Sequence, residues 1–297
     1  YKARGWIFPK DDGGFLYHCH NCSITLGIDK LLEFVDPIVY QEFIREKISD
    51  NLTPQERKVT EAEVLAIKMK PPKFVKSSEL KNIKKISQLS HDHPAKAYIN
   101  KRQIPTTYHA KLFYAPRFKQ FVNSVIPNKF DSLDHDEPRL IIPFLDENKN
   151  LFGFQGRSFR KDGIRYITIM IDTKKSKVFG LDTCDRSQTH YILEGPIDSM
   201  FVDNSIAMAG GSIDWDLVNE NSVFVYDNEP RSKETCAKIE KTIDKGYKVV
   251  IFPESIKSKD VNDMILNSET MYIDAVLRDN ISSGLEAKIH YTAWKRI

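Results

Sequence analysis

Tyr191-Ile192-Leu193-Glu194-Gly195-Pro196-Ile197-Asp198 reads as a strand, a turn and the first turn of a helix. Glu194 leaves the apolar strand and Gly195 makes the turn. Pro196 suits the first helical position, where its missing N–H has no partner to lose, and Asp198 follows in the same turn. Two later strands also run into acids. Val223-Phe224-Val225-Tyr226 leads to Asp227-Asn228-Glu229, whose carboxylates are two residues apart and share a side where strand geometry persists. Val249 to Phe252 leads through a loop to Lys259-Asp260-Val261-Asn262-Asp263-Met264. Between them lie a helix from Pro196, a strand over Ile206 to Met208, a helix near Trp215 and a helix from Ser232 to Lys245. Strands alternating with helices predict a parallel α/β sheet. Ligands of such sheets bind beyond the carboxyl ends of the strands, where all three acidic clusters fall.

Several carboxylates in one crevice suit Mg²⁺ or Mn²⁺, hard cations that take oxygen ligands and bridge to substrate phosphates. Each acid also has a plainer reading. Asp198 could favour a helix N-terminus, Asp227 and Glu229 could be turn residues, and Asp260 could be a helix cap. At any one position the two readings balance. Three clusters in order, each after a predicted strand, favour metal-dependent phosphoryl-transfer chemistry.

Upstream, Arg139-Leu140-Ile141-Ile142-Pro143-Phe144-Leu145, Leu151 to Phe154 and Tyr166 to Ile171 read as antiparallel strands, separated by turn-rich Asp146 to Asn150 and Lys161-Asp162-Gly163. A helix is expected over Pro94 to Lys101. Apolar residues from Ile28 to Ile48 recur at helical spacing, broken at Pro37. A lysine-heavy stretch from about Ser49 to Ser87, with Lys68-Met69-Lys70-Pro71-Pro72-Lys73 and Lys84-Lys85, reads as an exposed linker.

The 297 residues leave room for two or three compact units. No stretch approaches the roughly 18 to 20 apolar residues of a membrane span, and no signal peptide is visible. The chain opens at Tyr1 and reads as an N-terminally trimmed cytoplasmic protein. A net charge of +3 is too mild to argue nucleic-acid binding by itself. Of four cysteines, Cys19 and Cys22 form half of a tetrahedral zinc site, with His18 and His20 beside them; Cys184 and Cys236 are isolated and read as ordinary buried or surface residues.

A strand ending in Glu-Gly-x-x-Asp, a strand ending in Asp-x-Glu and a Lys-Asp loop together resemble the Toprim domain of bacterial-type primases, topoisomerases and some nucleases. That resemblance implies an acid/base role for Glu194 and a central metal on Asp227 and Glu229, with Asp198, Asp260 and Asp263 completing the site. Asn262 departs from it, standing near a position where some relatives carry an acid. Glu137-Pro138-Arg139, Gln155-Gly156-Arg157 and Arg165-Tyr166 resemble the basic subdomain that precedes the Toprim fold in primases. By that likeness Arg139, Arg157 and Arg165 would face the metal crevice and neutralise nucleotide or template phosphate, a task suited to the guanidinium fork. Primases also carry an N-terminal zinc ribbon, of which Cys19 and Cys22 would be the second cysteine pair.

The order of these parts is similar to that of T-even-type phage primases across almost the whole chain. The expected fold is thus an α/β Toprim sheet, preceded by a mixed α+β basic subdomain and the remnant of a zinc ribbon. The expected domains are a partial zinc ribbon at 1–28, a helical and lysine-rich linker at 29–90, the basic subdomain at 91–188, the Toprim domain at 189–266 and a C-terminal helical segment at 267–297. In that segment Ile273, Val276, Leu277 and Ile281 fit helix packing. The implied activity is RNA primer synthesis on single-stranded DNA from ribonucleoside triphosphates. Mg²⁺ or Mn²⁺ would serve catalysis and Zn²⁺ the ribbon, beside a replicative helicase on a separate chain and other replisome proteins. No Gly-x-x-x-x-Gly-Lys-Ser/Thr loop for a helicase ATPase is found here. Two other readings stay open, a Toprim nuclease or topoisomerase and a DNA-binding recombination mediator using the fold as a scaffold.

Overall fold

A computed structural model describes residues 5–9, 15–19, 25–35, 39–40, 43, 78–160, 163–210, 214–270 and 272–297. The chain divides into two compact units, residues 1–74 and 75–297. In the first, β1 (Gly5–Pro9), β2 (Phe15–Cys19) and β3 (Thr25–Gly27) form an antiparallel sheet, followed by α1 (Ile28–Val35). Cys19 ends β2 opposite Gly5. Its expected zinc partner Cys22, and His20, lie outside the described residues. His18 spends its imidazole Nδ1 on a 2.9 Å cross-strand hydrogen bond with Thr25 Oγ1.

The second unit opens with β4 (Lys84–Lys85), α2 (Pro94–Lys101), β5 (Phe113–Ala115) and α3 (Phe118–Val125). The long strands β6 (Arg139–Leu145), β7 (Leu151–Ser158) and β8 (Tyr166–Met170) complete an antiparallel sheet in the order β4-β5-β6-β7-β8. The end of the expected linker is therefore corrected. Lys84 and Lys85 pair with β5, and Ile86 and Leu89 are buried, because the apolar residues after the lysines complete the core.

The other sheet begins with β9 (Val178–Phe179) and β10 (His190–Leu193). The chain continues through α4 (Pro196–Ser199), β11 (Ser205–Met208), β12 (Ser222–Val225), α5 (Lys233–Asp244), β13 (Lys248–Val250) and α6 (Val261–Leu266). It ends with α7 (Ile273–Asp279), β14 (Ile281–Ser282) and α8 (Gly284–Trp294). The strand order is β14-β13-β12-β10-β11-β9. The four inner strands are parallel and the two outer ones antiparallel. The expected helix near Trp215 is a single 3-10 turn, Trp215–Leu217.

Strand alternation explains why both faces of this sheet are covered. Tyr191, Leu193, Val223 and Val225 share one core with Leu140, Ile142 and Phe144 of the antiparallel sheet. Ile192, Phe224 and Val249 point the other way, onto Cys236, Ile239 and Ile243 of α5 and Tyr291 and Trp294 of α8. Ile141, Phe154 and Ile169 form a third cluster with Phe118, Phe121 and Val122 of α3. Consecutive strand residues thus serve different cores, and the first core joins the two sheets. Because β10 is flanked by β11 on one side and β12 on the other, the strand order reverses at its carboxyl end, the place where such sheets open a binding crevice.

Candidate active site

At that switch point lies a cleft of about 310 Å³ lined by Glu194, Asp198, Asp227, Lys259 and Asp260 on one wall and by Gln155, Arg165 and Tyr166 on the other. Register brings the acids together. Leu193 pairs with Val225, so the segments leaving β10 and β12 emerge side by side, and the Asp227 N–H donates to Glu194 Oε1 at 3.5 Å.

Each carboxylate is held by a different local device. Asp198, in the first turn of α4, accepts from the Asn262 N–H at 3.0 Å. Gly195 allows this close folding, since a Cβ there would lie 2.6 Å from Asp198 Oδ2. Asp260 caps α6 by accepting from the Asp263 N–H at 2.8 Å while still lining the cleft. Its capping and crevice roles are compatible. Glu194 pairs with Lys238 of α5 at 3.1 Å. Asp227 and Glu229 share Lys259, whose ammonium is 3.4 Å from Asp227 Oδ2 and 3.0 Å from Glu229 Oε1.

The electrostatics are those of anions forced together. Burial, then Asp260 and Asp227, push the Asp198 carboxyl up to about 7. Burial and Glu194 push Asp227 up to about 6 against the opposing pull of Lys259. Asp263, outside the cleft lining, is raised by burial and Asp260. Among the described residues no three acids, histidines or cysteines converge as a ready-made cage. Lys238 and Lys259 hold the carboxylates instead, and the Lys259 ammonium between Asp227 and Glu229 is the stand-in for a cation at the position where the donors are all hard oxygens. The donors gathered here are hard oxygens of the kind Mg²⁺ or Mn²⁺ takes.

The three expected arginines separate. Arg165 lines the cleft. Arg139 does not face it, contrary to expectation. Its guanidinium is buried, donating to the carbonyls of Gly156 at 3.0 Å and Ile164 at 2.9 Å and pairing with Glu137, with the Phe118 ring beneath it. Arg157 is also buried rather than in the lining. It bonds to the Tyr98 hydroxyl and stacks on Tyr166 with its guanidinium carbon 4.6 Å from the ring centroid. Burial lowers its pKa, helped by Arg102 and Arg165. Arg157 thus supports Tyr166 from behind.

Other residues of the site were given no role from the sequence. Gln155 crosses between the sheets, donating from Nε2 to Thr168 Oγ1 at 3.2 Å and to Ala209 O at 3.1 Å. Asn262, at the position of the expected missing acid, exchanges hydrogen bonds with Arg102: Arg102 Nη1 donates to its Oδ1 at 2.6 Å, and its Nδ2 donates to Arg102 O at 2.8 Å. It is a tie between α2 and α6. Lys259 was visible directly before Asp260, whereas Lys238 and Arg102 reach the site only through helix packing.

The two-sheet fold is that of solved primase catalytic domains. The structure is similar to a DNA primase domain from Pseudomonas aeruginosa, with TM-score 0.53 and 15% identity over 74% of this chain and 87% of that one. It is also similar to the DnaG primase catalytic domain bound to ssDNA, with TM-score 0.50 and 15% identity over 67% of this chain and 75% of that one. No family model matches the chain. In sequence, the chain is 34% identical over 308 residues to the DNA primase of Enterobacteria phage T4, covering 100% of this chain and 86% of the relative. The chain belongs to the DNA primases, enzymes that make RNA primers by nucleotidyl transfer.

Proposed function

We propose that the cleft between Arg165 and the acids Glu194, Asp198, Asp227 and Asp260 is where the primer bond is formed. The observation that carries this reading is the meeting of four carboxylates and one arginine at the switch point of the sheet. A divalent metal bound at Asp227, Glu229 and Asp260 would supply Lewis-acid stabilisation of phosphate charge. Lys259 would then turn from the carboxylates toward the triphosphate. Arg165 offers its fork to phosphate oxygens, and the part-exposed ring of Tyr166, stacked against Arg157, offers a surface for a base.

In the reaction the 3′-hydroxyl oxygen of one ribonucleotide attacks the α-phosphorus of a second. An O–P bond forms, the bond to pyrophosphate breaks, and the hydroxyl proton passes to a carboxylate, for which Glu194 is the candidate. Asp198, enclosed and hydrogen-bonded, holds the α6 N-terminus in place. Template DNA would be single-stranded, in keeping with the ssDNA carried by the related catalytic domain. The zinc role of Cys19 and Cys22 and the helicase partner rest on family membership. So does cytoplasmic placement; no helix among the described residues is long and apolar enough to cross a membrane.

The test is a primer assay with single-stranded template, Mg²⁺, labelled ribonucleotides and the replicative helicase. Short RNA products are expected. DNA cleavage or relaxation without ribonucleotide incorporation would replace this reading with the nuclease or topoisomerase one.

A further inference from the structure

Between the two acids of the loop after β12 stands Asn228, whose side-chain polar atoms are all committed. Its N–H donates to Lys259 O at 2.6 Å. Its Nδ2 donates to Ile256 O and to Ser258 O, each at 3.1 Å. Its Oδ1 accepts from the indole Nε1 of Trp294 at 2.9 Å. The amide cannot be turned over, because its oxygen would then face two carbonyl oxygens. One side chain thus joins the Asp227–Glu229 loop to the loop that delivers Asp260, and the end of α8 holds it from outside.

That end of α8 is itself fixed. The Tyr291 hydroxyl donates to Cys236 O at 3.0 Å, the Arg296 N–H donates to Pro230 O at 2.9 Å, and Trp294 is buried. The far loop is braced as well, with the Ser258 N–H donating to the Glu269 carboxylate and Asn267 Nδ2 donating to Ser258 Oγ at 2.8 Å. The loops are therefore pinned on three sides, while the Asp227 and Glu229 carboxylates share a single lysine.

We propose that Asn228 and Trp294 are positioning residues that set the spacing between Asp227 and Glu229 on one loop and Asp260 on the other, and through it the affinity for divalent metal. The proposal rests on the metal reading of the cleft. Mg²⁺ tolerates little departure from octahedral geometry, so a loop that drifts by a fraction of an ångström loses a ligand. Outer partners of metal ligands carry effects of this kind. The C-terminal helix thereby gains a task in the chemistry without touching substrate.

The test uses the full chain without nucleotide and follows Mn²⁺ binding by electron paramagnetic resonance, with Asp227→Asn as the control that removes a ligand. Trp294→Phe keeps an aromatic ring in the core while removing the donor and part of the indole, and Asn228→Ala breaks the same bond from the other side together with the two bonds to Ile256 O and Ser258 O. Each is expected to weaken Mn²⁺ binding by roughly tenfold. The double variant should be no weaker than Asn228→Ala alone, because that variant already lacks the bond to Trp294. In primer synthesis the half-saturating Mg²⁺ concentration should rise by the same factor, with a much smaller fall in kcat. A role in packing alone would lower thermal stability and leave the metal dependence where it was. Unchanged Mn²⁺ affinity in both single variants, with loss in Asp227→Asn, overturns this proposal and spares the metal reading. Absence of Mn²⁺ binding by the parent chain overturns both.

Discussion

Asp198 and Asp227 store the cost of gathering anions before any cation arrives. Their folded pKa values, about 7 and about 6, lie above the ordinary 3.8 of an aspartate. For an acid raised in this way the folded state holds the proton more tightly. Its stabilising contribution is present in acid and is lost as pH rises from the unfolded value through the folded one. With metal chelated, the thermal midpoint should fall between about pH 4 and pH 7, and Mg²⁺ should restore it at the upper end. Asp198→Asn should flatten the slope. A midpoint independent of pH in chelator, followed by circular dichroism, would remove the electrostatic account of the cleft. The arginines divide on the same scale. Arg139→Ala leaves the buried Gly156 carbonyl and the part-exposed Glu137 without their partner and should cost about 1–3 kcal/mol in denaturant unfolding. Arg165→Ala should change stability by less than about 0.5 kcal/mol and raise the KM for ribonucleotide. Equal stability losses in the two would contradict these placements.

Among the elements, β7 shows how one residue ties sheet to helix. A Cβ on Gly156 would run into the ring of Phe118, which is buried in the cluster beneath the antiparallel sheet. Gly156→Ala should therefore destabilise the chain by about 1–3 kcal/mol through overpacking, read as a lower urea midpoint at unchanged slope. β10, β12 and α5 were legible in the sequence because their signals are local: short apolar runs ending in acids, then Ser232 capping an amphipathic helix. The two-residue strands β9 and β14 were not, since their pairing with distant neighbours carries no periodicity of its own. Glu194 and Asp227 could be read for the same local reason, close behind their strands, whereas Asp260 comes only after the loop that follows β13. Arg139 was misplaced because a basic residue at the start of a strand looks alike whether it faces phosphate or carbonyls. Glu137, two residues earlier, was the available hint. The bond between Asn228 and Trp294 joins residues 66 apart, and nothing in either neighbourhood announces it.

Across the second unit, the shared core between the two sheets makes the walls of the cleft one body. Gln155 and the Arg102–Asn262 pair cross the gap at two points and tie the arginine wall to the carboxylate wall. That rigidity suits a site whose work is electrostatic, because donors and charges already in place need no reorganisation at the moment of reaction. It also separates the enzyme reading from a scaffold reading, in which DNA would bind equally well without the acids. The measurement that decides this most directly is the rate of first phosphodiester formation on single-stranded template by the parent chain and by Asp227→Asn, compared at equal folded fraction in saturating Mg²⁺. A loss of at least about a hundredfold, with template binding retained, is the predicted result. An unchanged rate in the folded variant would contradict the assignment of primer synthesis to this cleft.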